Sequence, residues 1–149
     1  MVLMSREQIL RAVELNKPLV VHSRSAADDT YTILKDYMPS QHKVHLHCFT
    51  DTAQQAKRLL DAFPNMYFGF TGAITFNNAA AVCEAVKQIP MNRILLESDA
   101  PYMAPQPLKG VSHSGHIPLI AQKIAELKAE SLDTVLKNIR NNTRDMYGI

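Results

Sequence analysis

The sequence predicts an α/β fold of parallel strands linked by helices, and three observations carry that expectation. A short apolar run ending at a polar residue, followed by an amphipathic segment, occurs four times along the 149 residues. The runs are nearly continuous in apolar side chains, as in parallel strands buried on both faces. No glycine-rich phosphate loop follows the first run, which weighs against a dinucleotide- or nucleotide-binding sheet.

The runs are Pro18–His22, Lys43–His47, Met66–Phe70 and Arg93–Glu97, each of strand length and bounded by Pro, Asn or Lys. A helix is expected over residues 6–15, before the first of them. Ser25 is a candidate cap for a helix over residues 26–37, and Thr50 or Asp51 for one over 52–63. The latter gathers Ala53, Ala56, Leu59, Leu60 and Phe63 on one side. Asn77 or Asn78 caps a helix over 79–88. After the fourth strand a loop carrying Pro101, Pro105, Pro107 and Gly110 leads to helices over 117–128 and 132–146, the last capped by Ser131.

Composition narrows the class. Apolar residues make up 46% and charged residues 20%, which is the balance of a folded globular chain. Sixteen basic residues against fourteen acidic ones leave a net charge of +2, too small to indicate a polyanion partner by itself. The two cysteines, Cys48 and Cys83, form no spacing motif, so reduced thiols and a cytoplasmic location are the default expectation. No apolar stretch approaches a membrane span, and residues 1–6 lack the form of a leader, so no membrane partner is expected.

Alternating strands and helices fit two architectures, an open doubly wound sheet or a segment of a (β/α)8 barrel. A full barrel takes about 250 residues, so this chain would hold half of one. His22 and His47 end the first two strands, and Asp99 follows the fourth. In either architecture these positions share the carboxyl-end face, where active sites are built. Two imidazoles and a carboxylate on that face suit a divalent cation.

Three short motifs then carry a resemblance. Val21-His22-Ser23-Arg24, His47-Cys48-Phe49-Thr50 and Leu96-Glu97-Ser98-Asp99-Ala100-Pro101-Tyr102 are similar, in order and spacing, to elements of the TatD-type metal-dependent deoxyribonucleases, relatives of the amidohydrolase barrels. The resemblance runs from about Arg6 to Ile149. It implies the C-terminal half of a TIM-type barrel: strands five to eight with their helices, as one domain over residues 1–149 that lacks the N-terminal strands. It also implies divalent metal ions (Mg, Mn or Zn), two in the complete family site. His22 and His47 would be ligands of one metal. Asp99 would be a ligand of the other, or the group that handles the proton of the attacking water, and Arg24 would meet substrate phosphate. The implied reaction is exonuclease-type hydrolysis of DNA phosphodiester bonds.

The chain departs from the family pattern in three ways. The paired strand-one histidines and the strand-four glutamate of the family lie upstream of anything in this sequence. Asp51 stands where many members carry glycine, and residues 111–116 replace a loop that often reads Arg-Asn-Glu-Pro. Two alternatives therefore accompany the nuclease expectation: a catalytically inactive barrel fragment, and a metallohydrolase of a non-nucleic substrate. A half-barrel leaves sheet edges and an apolar interior uncovered, so a homodimer or the N-terminal half of the barrel is the expected partner besides DNA.

Other histidines and cysteines have plainer expectations. His45 shares a strand face with His47 and is expected one layer deeper, as a hydrogen-bonded core residue approaching Glu97. Cys48 is expected buried toward the helices, Cys83 in the core, and His113 and His116 in solvent.

Overall fold

The computed structural model of the protein describes residues 6–149; the first five residues, on which the expectation about a leader bears, lie outside the described residues. The elements run α1 (Arg6–Glu14), β1 (Leu19–His22), α2 (Ala27–Tyr37), β2 (Val44–His47), α3 (Ala53–Ala62), β3 (Met66–Phe70), α4 (Ala80–Gln88), β4 (Ile94–Leu96), α5 (Ile117–Lys128) and α6 (Leu132–Tyr147). The strands form one parallel sheet in the order β1-β2-β3-β4. Sequential order without reversal has no topological switch point, so right-handed crossovers lay successive helices on the same face, as barrels do. The alternative of a doubly wound sheet is thereby set aside.

Strand alternation divides the side chains between two faces. Leu19, Val21, Val44, Leu46, Met66, Phe68, Phe70 and Ile94 belong to one apolar core that includes Ile9, Leu34, Leu59, Val86, Ile124 and Ile139, one residue from each of the six helices. The opposite face carries Val20, His22, His45, His47, Tyr67, Gly69, Leu95 and Glu97. There Tyr67 and Leu95 pack with Met146, from the last turn of α6. Val20, on the edge strand, remains 50% exposed. Asn142 is buried on α6, and its Nδ2 donates to the carbonyls of Met91 and Ile94 at 2.8 Å each, which ties that helix to the start of β4.

Several helix starts differ from expectation. Ser131 does cap α6, accepting from the Thr134 amide at 3.1 Å. For α3 the cap is Thr52, accepting from Gln55, rather than Thr50 or Asp51. Neither Ser25 nor Asn77 and Asn78 cap a helix; α2 and α4 start after Ala26 and Ala79 without a side-chain cap. Ser25 adopts φ +52°, outside the extended region an N-cap needs. Short 3-10 turns at Gly72–Thr75, Met91–Arg93 and Ser114–His116 carry no hydrophobic period long enough to be read from sequence. The turn at Met91–Arg93 takes Arg93 from the start of the expected fourth strand; at its other end the strand stops at Leu96, with Glu97 just beyond, its N donating to Phe70 O at 3.0 Å.

Candidate metal centre at the strand ends

His47 is the hub of the site. Its ring centroid lies 5.5 Å from that of His22, its in-register neighbour on β1. Its Nε2 is 3.7 Å from Asp99 Oδ1, and its Nδ1 is 2.6 Å from Glu97 Oε1. A carboxylate only accepts, so Nδ1 carries the proton and Nε2 presents its lone pair toward Asp99. A carboxylate behind one imidazole nitrogen, with the other left for a cation, is the usual support of a metal-ligating histidine.

Glu97 is met by three residues of β2 and its end. Besides His47 Nδ1, the Cys48 amide donates to Oε2 at 2.8 Å. His45 Nε2 comes within 2.9 Å of Oε1 but off the axis of its N–H, so it contributes an electrostatic contact without an aligned hydrogen bond. The expected approach of His45 to Glu97 is therefore present, but the charge-assisted hydrogen bond expected between them is not aligned, and His47 takes the same oxygen. Burial alone would raise the Glu97 carboxyl; the contacts from His45, His47 and the Cys48 amide outweigh it and bring it down to about 2. The hydrogen bond to Glu97 raises the His47 ring above its ordinary value, against the opposing effect of burial.

The Cys48 hydrogen bond depends on a backbone feature. Cys48 adopts φ +49°, a left-handed conformation rare for a residue with a side chain. It ends β2 and turns the amide onto Glu97, while Phe49 N donates to Gly69 O at 2.9 Å. The Cys48 thiol is buried, as expected, but among the loop residues Thr71 and Met103 rather than toward the helices. Burial pushes its pKa up, so the thiol is protonated and unreactive. Cys83 packs partly buried against the core, and its thiol donates to Ile74 O.

His45 is buried beneath this layer, as the spacing indicates, and its other nitrogen, Nδ1, lies 2.6 Å from the Tyr147 hydroxyl on α6. Burial raises the Tyr147 pKa and the charge of Glu97 adds to it, so the hydroxyl keeps its proton. No local pattern points to Tyr147, which sits 102 positions from its partner.

The remaining candidates lie in loops, and none of His22, His47, Glu97 or Asp99 lines the cavity beside Arg24. Arg24, in the loop after β1, lines a cavity of about 240 Å³ with Ser23, Thr50, Asp51 and Gln55. A larger groove of about 910 Å³ runs between α2 and α3, past Tyr31, Lys35 and Arg58, away from the strand ends. His113 is exposed and His116 half-buried, with ring centroids 3.8 Å apart, in the loop leading to α5. Among the described residues, no three His, Cys, Asp or Glu side chains converge as a metal shell. His22, His47 and Asp99 meet pairwise through His47. Their donor set still fits a divalent cation, because Glu97 frees the Nε2 lone pair.

A parallel sheet in sequential order, with histidines and carboxylates at its strand ends, is the architecture of a barrel-type α/β protein. The chain belongs to the TatD related DNase family, which matches residues 4–148. It is 39% identical over 146 residues to the 3'-5' RNA nuclease TATDN2 of Homo sapiens, across 95% of this chain and 19% of that protein. It is 34% identical over 145 residues to the uncharacterized metal-dependent hydrolase YabD of Bacillus subtilis, across 97% of this chain and 56% of that one. Among solved structures, YJJV, a TatD homologue from Escherichia coli, superposes with a TM-score of 0.87 at 25% identity, over 96% of this chain and 54% of that one. The chain thus spans about half the length of YabD and YJJV, and about a fifth of TATDN2. No helix among the described residues is long and apolar enough to cross a membrane.

Proposed function

We propose that the chain is the C-terminal half of a TIM-type barrel, residues 1–149 forming one domain of four βα units within a divalent-metal-dependent nuclease that hydrolyses DNA phosphodiester bonds. The observation that carries it is the ring of His47, with one nitrogen committed to Glu97, the other facing Asp99, and His22 alongside. Relatives named as an RNA nuclease and as a metal-dependent hydrolase support the same chemistry.

His22 and His47 hold a cation, Mg, Mn or Zn by the chemistry of the donors, with Asp99 beside them. Such a cation supplies Lewis acidity to a phosphoryl oxygen and lowers the pKa of water. Asp99 accepts the proton of the attacking water. Arg24 presents its guanidinium to the phosphate. Glu97 keeps His47 in the tautomer that binding requires. A complete site holds two ions, and its further donors come from outside residues 1–149, either from other barrel strands or from a second copy of the chain.

A second reading, a scaffold without catalysis, has its own observation: no three acidic, imidazole or thiol groups converge among the described residues. Calorimetric titration with Mn²⁺, paired with hydrolysis of single-stranded DNA, separates the two. Metal binding lost in both His22→Ala and His47→Ala, with DNA cleavage lost in Asp99→Asn, supports the nuclease. Binding unchanged in both histidine variants removes the metal assignment. Binding without hydrolysis of DNA, RNA or a non-nucleic phosphodiester leaves the scaffold. Hydrolysis of the last substrate alone favours a non-nucleic metallohydrolase.

A further inference from the structure

Gly69 stands on β3 directly beneath Glu97. A Cβ built there would lie 1.8 Å from Glu97 Oε2, 2.1 Å from Glu97 Cδ and 2.5 Å from His45 Nε2. All three distances are far inside van der Waals contact, so the carboxylate fills the volume that any other residue's side chain would need. We propose that Gly69 is a positioning residue: by carrying no side chain it admits the Glu97 carboxylate to the inner face of β3, and so fixes which nitrogen of His47 faces Asp99. The inference rests on the metal-centre reading above, but it concerns the metal-free ring.

Conformational freedom of the backbone is not the reason for this glycine. Gly69 lies within a regular strand, paired in register with Leu95, and it is absent from the left-handed positions. Glycine inside a strand weakens it, and a close approach is one of the few reasons for it to be there. The approaching group here is the functional end of Glu97 and not another backbone. The atoms a new Cβ would meet are the far ends of two side chains. The cheapest response to Gly69→Ala is therefore a swing of the Glu97 carboxylate away from β3, with the sheet left standing.

The consequences follow from the hydrogen bonds. A displaced carboxylate leaves His47 Nδ1 at 2.6 Å and the Cys48 amide at 2.8 Å without their acceptor. His47 is then free to carry its proton on Nε2, the nitrogen a cation needs. Glu97 acts on the ring, and Gly69 acts on Glu97. Neither touches substrate.

The experiment uses the whole chain in four forms: the parent, Gly69→Ala, Glu97→Ala and the double variant. Long-range ¹⁵N correlation spectra of the metal-free proteins read the His47 tautomer, calorimetry with Mn²⁺ reads affinity, and thermal melts report folding. The parent is expected to hold His47 as the Nδ1–H form. Gly69→Ala is expected to fold, to shift His47 toward the Nε2–H form and to weaken Mn²⁺ roughly tenfold or more. In the Glu97→Ala background the two carboxylate atoms are gone and only His45 Nε2 still meets the Cβ, so Gly69→Ala is expected to add no further change in the His47 tautomer and at most a small one in affinity. Should Gly69→Ala fail to fold, the double variant is expected to fold like Glu97→Ala. An unchanged His47 spectrum in folded Gly69→Ala overturns the proposal. So does an added loss of the same size in the Glu97→Ala background, or a double variant that stays unfolded where Glu97→Ala folds. Failure of the parent to bind Mn²⁺ counts against the metal centre instead, and the tautomer spectra still decide the role of Gly69.

Discussion

On the helix side of the sheet, Val21, Leu46, Phe68 and Ile94 stand in register across the four strands, none more than 5% exposed. One residue back along the strands, on the other face, the row reads Val20, His45 and Tyr67, and it runs from half exposed to buried. One residue forward on that same face it reads His22 and His47. The first row is held by burial of apolar area, which is non-directional and tolerant of detail. The second is held by hydrogen bonds and charge, which demand particular atoms at particular distances. The alternation of a strand lets the same few residues serve both ends, so stability can be concentrated on one face and chemistry on the other.

The largest effect is expected on the apolar face. Phe68→Ala should cost about 3–5 kcal/mol, read as a lower urea midpoint, because the fully buried ring leaves a cavity among both strand and helix partners. A loss below about 1 kcal/mol would mean that the helix face is not the main source of stability.

Next comes the junction between the faces and α6. Asn142→Leu leaves the carbonyls of Met91 and Ile94 without their donor, at about 1–3 kcal/mol by the same denaturant measurement. No change in midpoint would show that α6 does not depend on this tie.

Tyr147→Phe sharpens the comparison from the polar side. It removes the hydroxyl that meets His45 Nδ1 and should cost about 0.5–1.5 kcal/mol. Crystallography of the variant checks the geometry: the His45 ring is expected to rotate or to gain a water, while the Met146 contacts with Tyr67 and Leu95 persist. A ring left unmoved without a replacement partner would count against the hydroxyl as its anchor.

The smallest effect belongs to Val20→Lys. At a half-exposed edge position it should stay within about 0.5 kcal/mol in an isolated chain. Sedimentation run alongside the melts turns this into a test of what covers the inner face. A stability loss that grows with protein concentration, together with a fall in mass, would show that a second copy packs against β1 in the parent.

Much of the fold was legible in the sequence because it is written in local periods. Runs such as Met66–Phe70 announce buried strands, the apolar spacing of Ala56 and Leu59 announces the buried side of α3, and Ser131 announces the start of α6. Where capping residues stand side by side, as at Thr50, Asp51 and Thr52, the sequence names the neighbourhood but not the residue. Ahead of α2, where Ser25 is the expected cap, no side chain caps the helix, and Ser23 Oγ bonds Thr30 Oγ1 at 2.6 Å.

The sequence by itself determined that His22, His47 and Asp99 fall at strand ends on one face, because chain direction and strand period fix that much. It also put His45 two residues before His47 and Glu97 two before Asp99, which predicted that the pair would meet. Only the tertiary structure decided that Glu97 meets both histidines, that Cys48 turns left-handed to give it a backbone donor, that Gly69 leaves room for it, and that Tyr147 closes on His45 from the far end of the chain. These contacts join residues about 20 to 100 positions apart, and their existence depends on strand register and on side-chain volumes across neighbouring strands. A local pattern specifies which face a residue occupies; the atoms it meets there are set by the packing of the whole sheet.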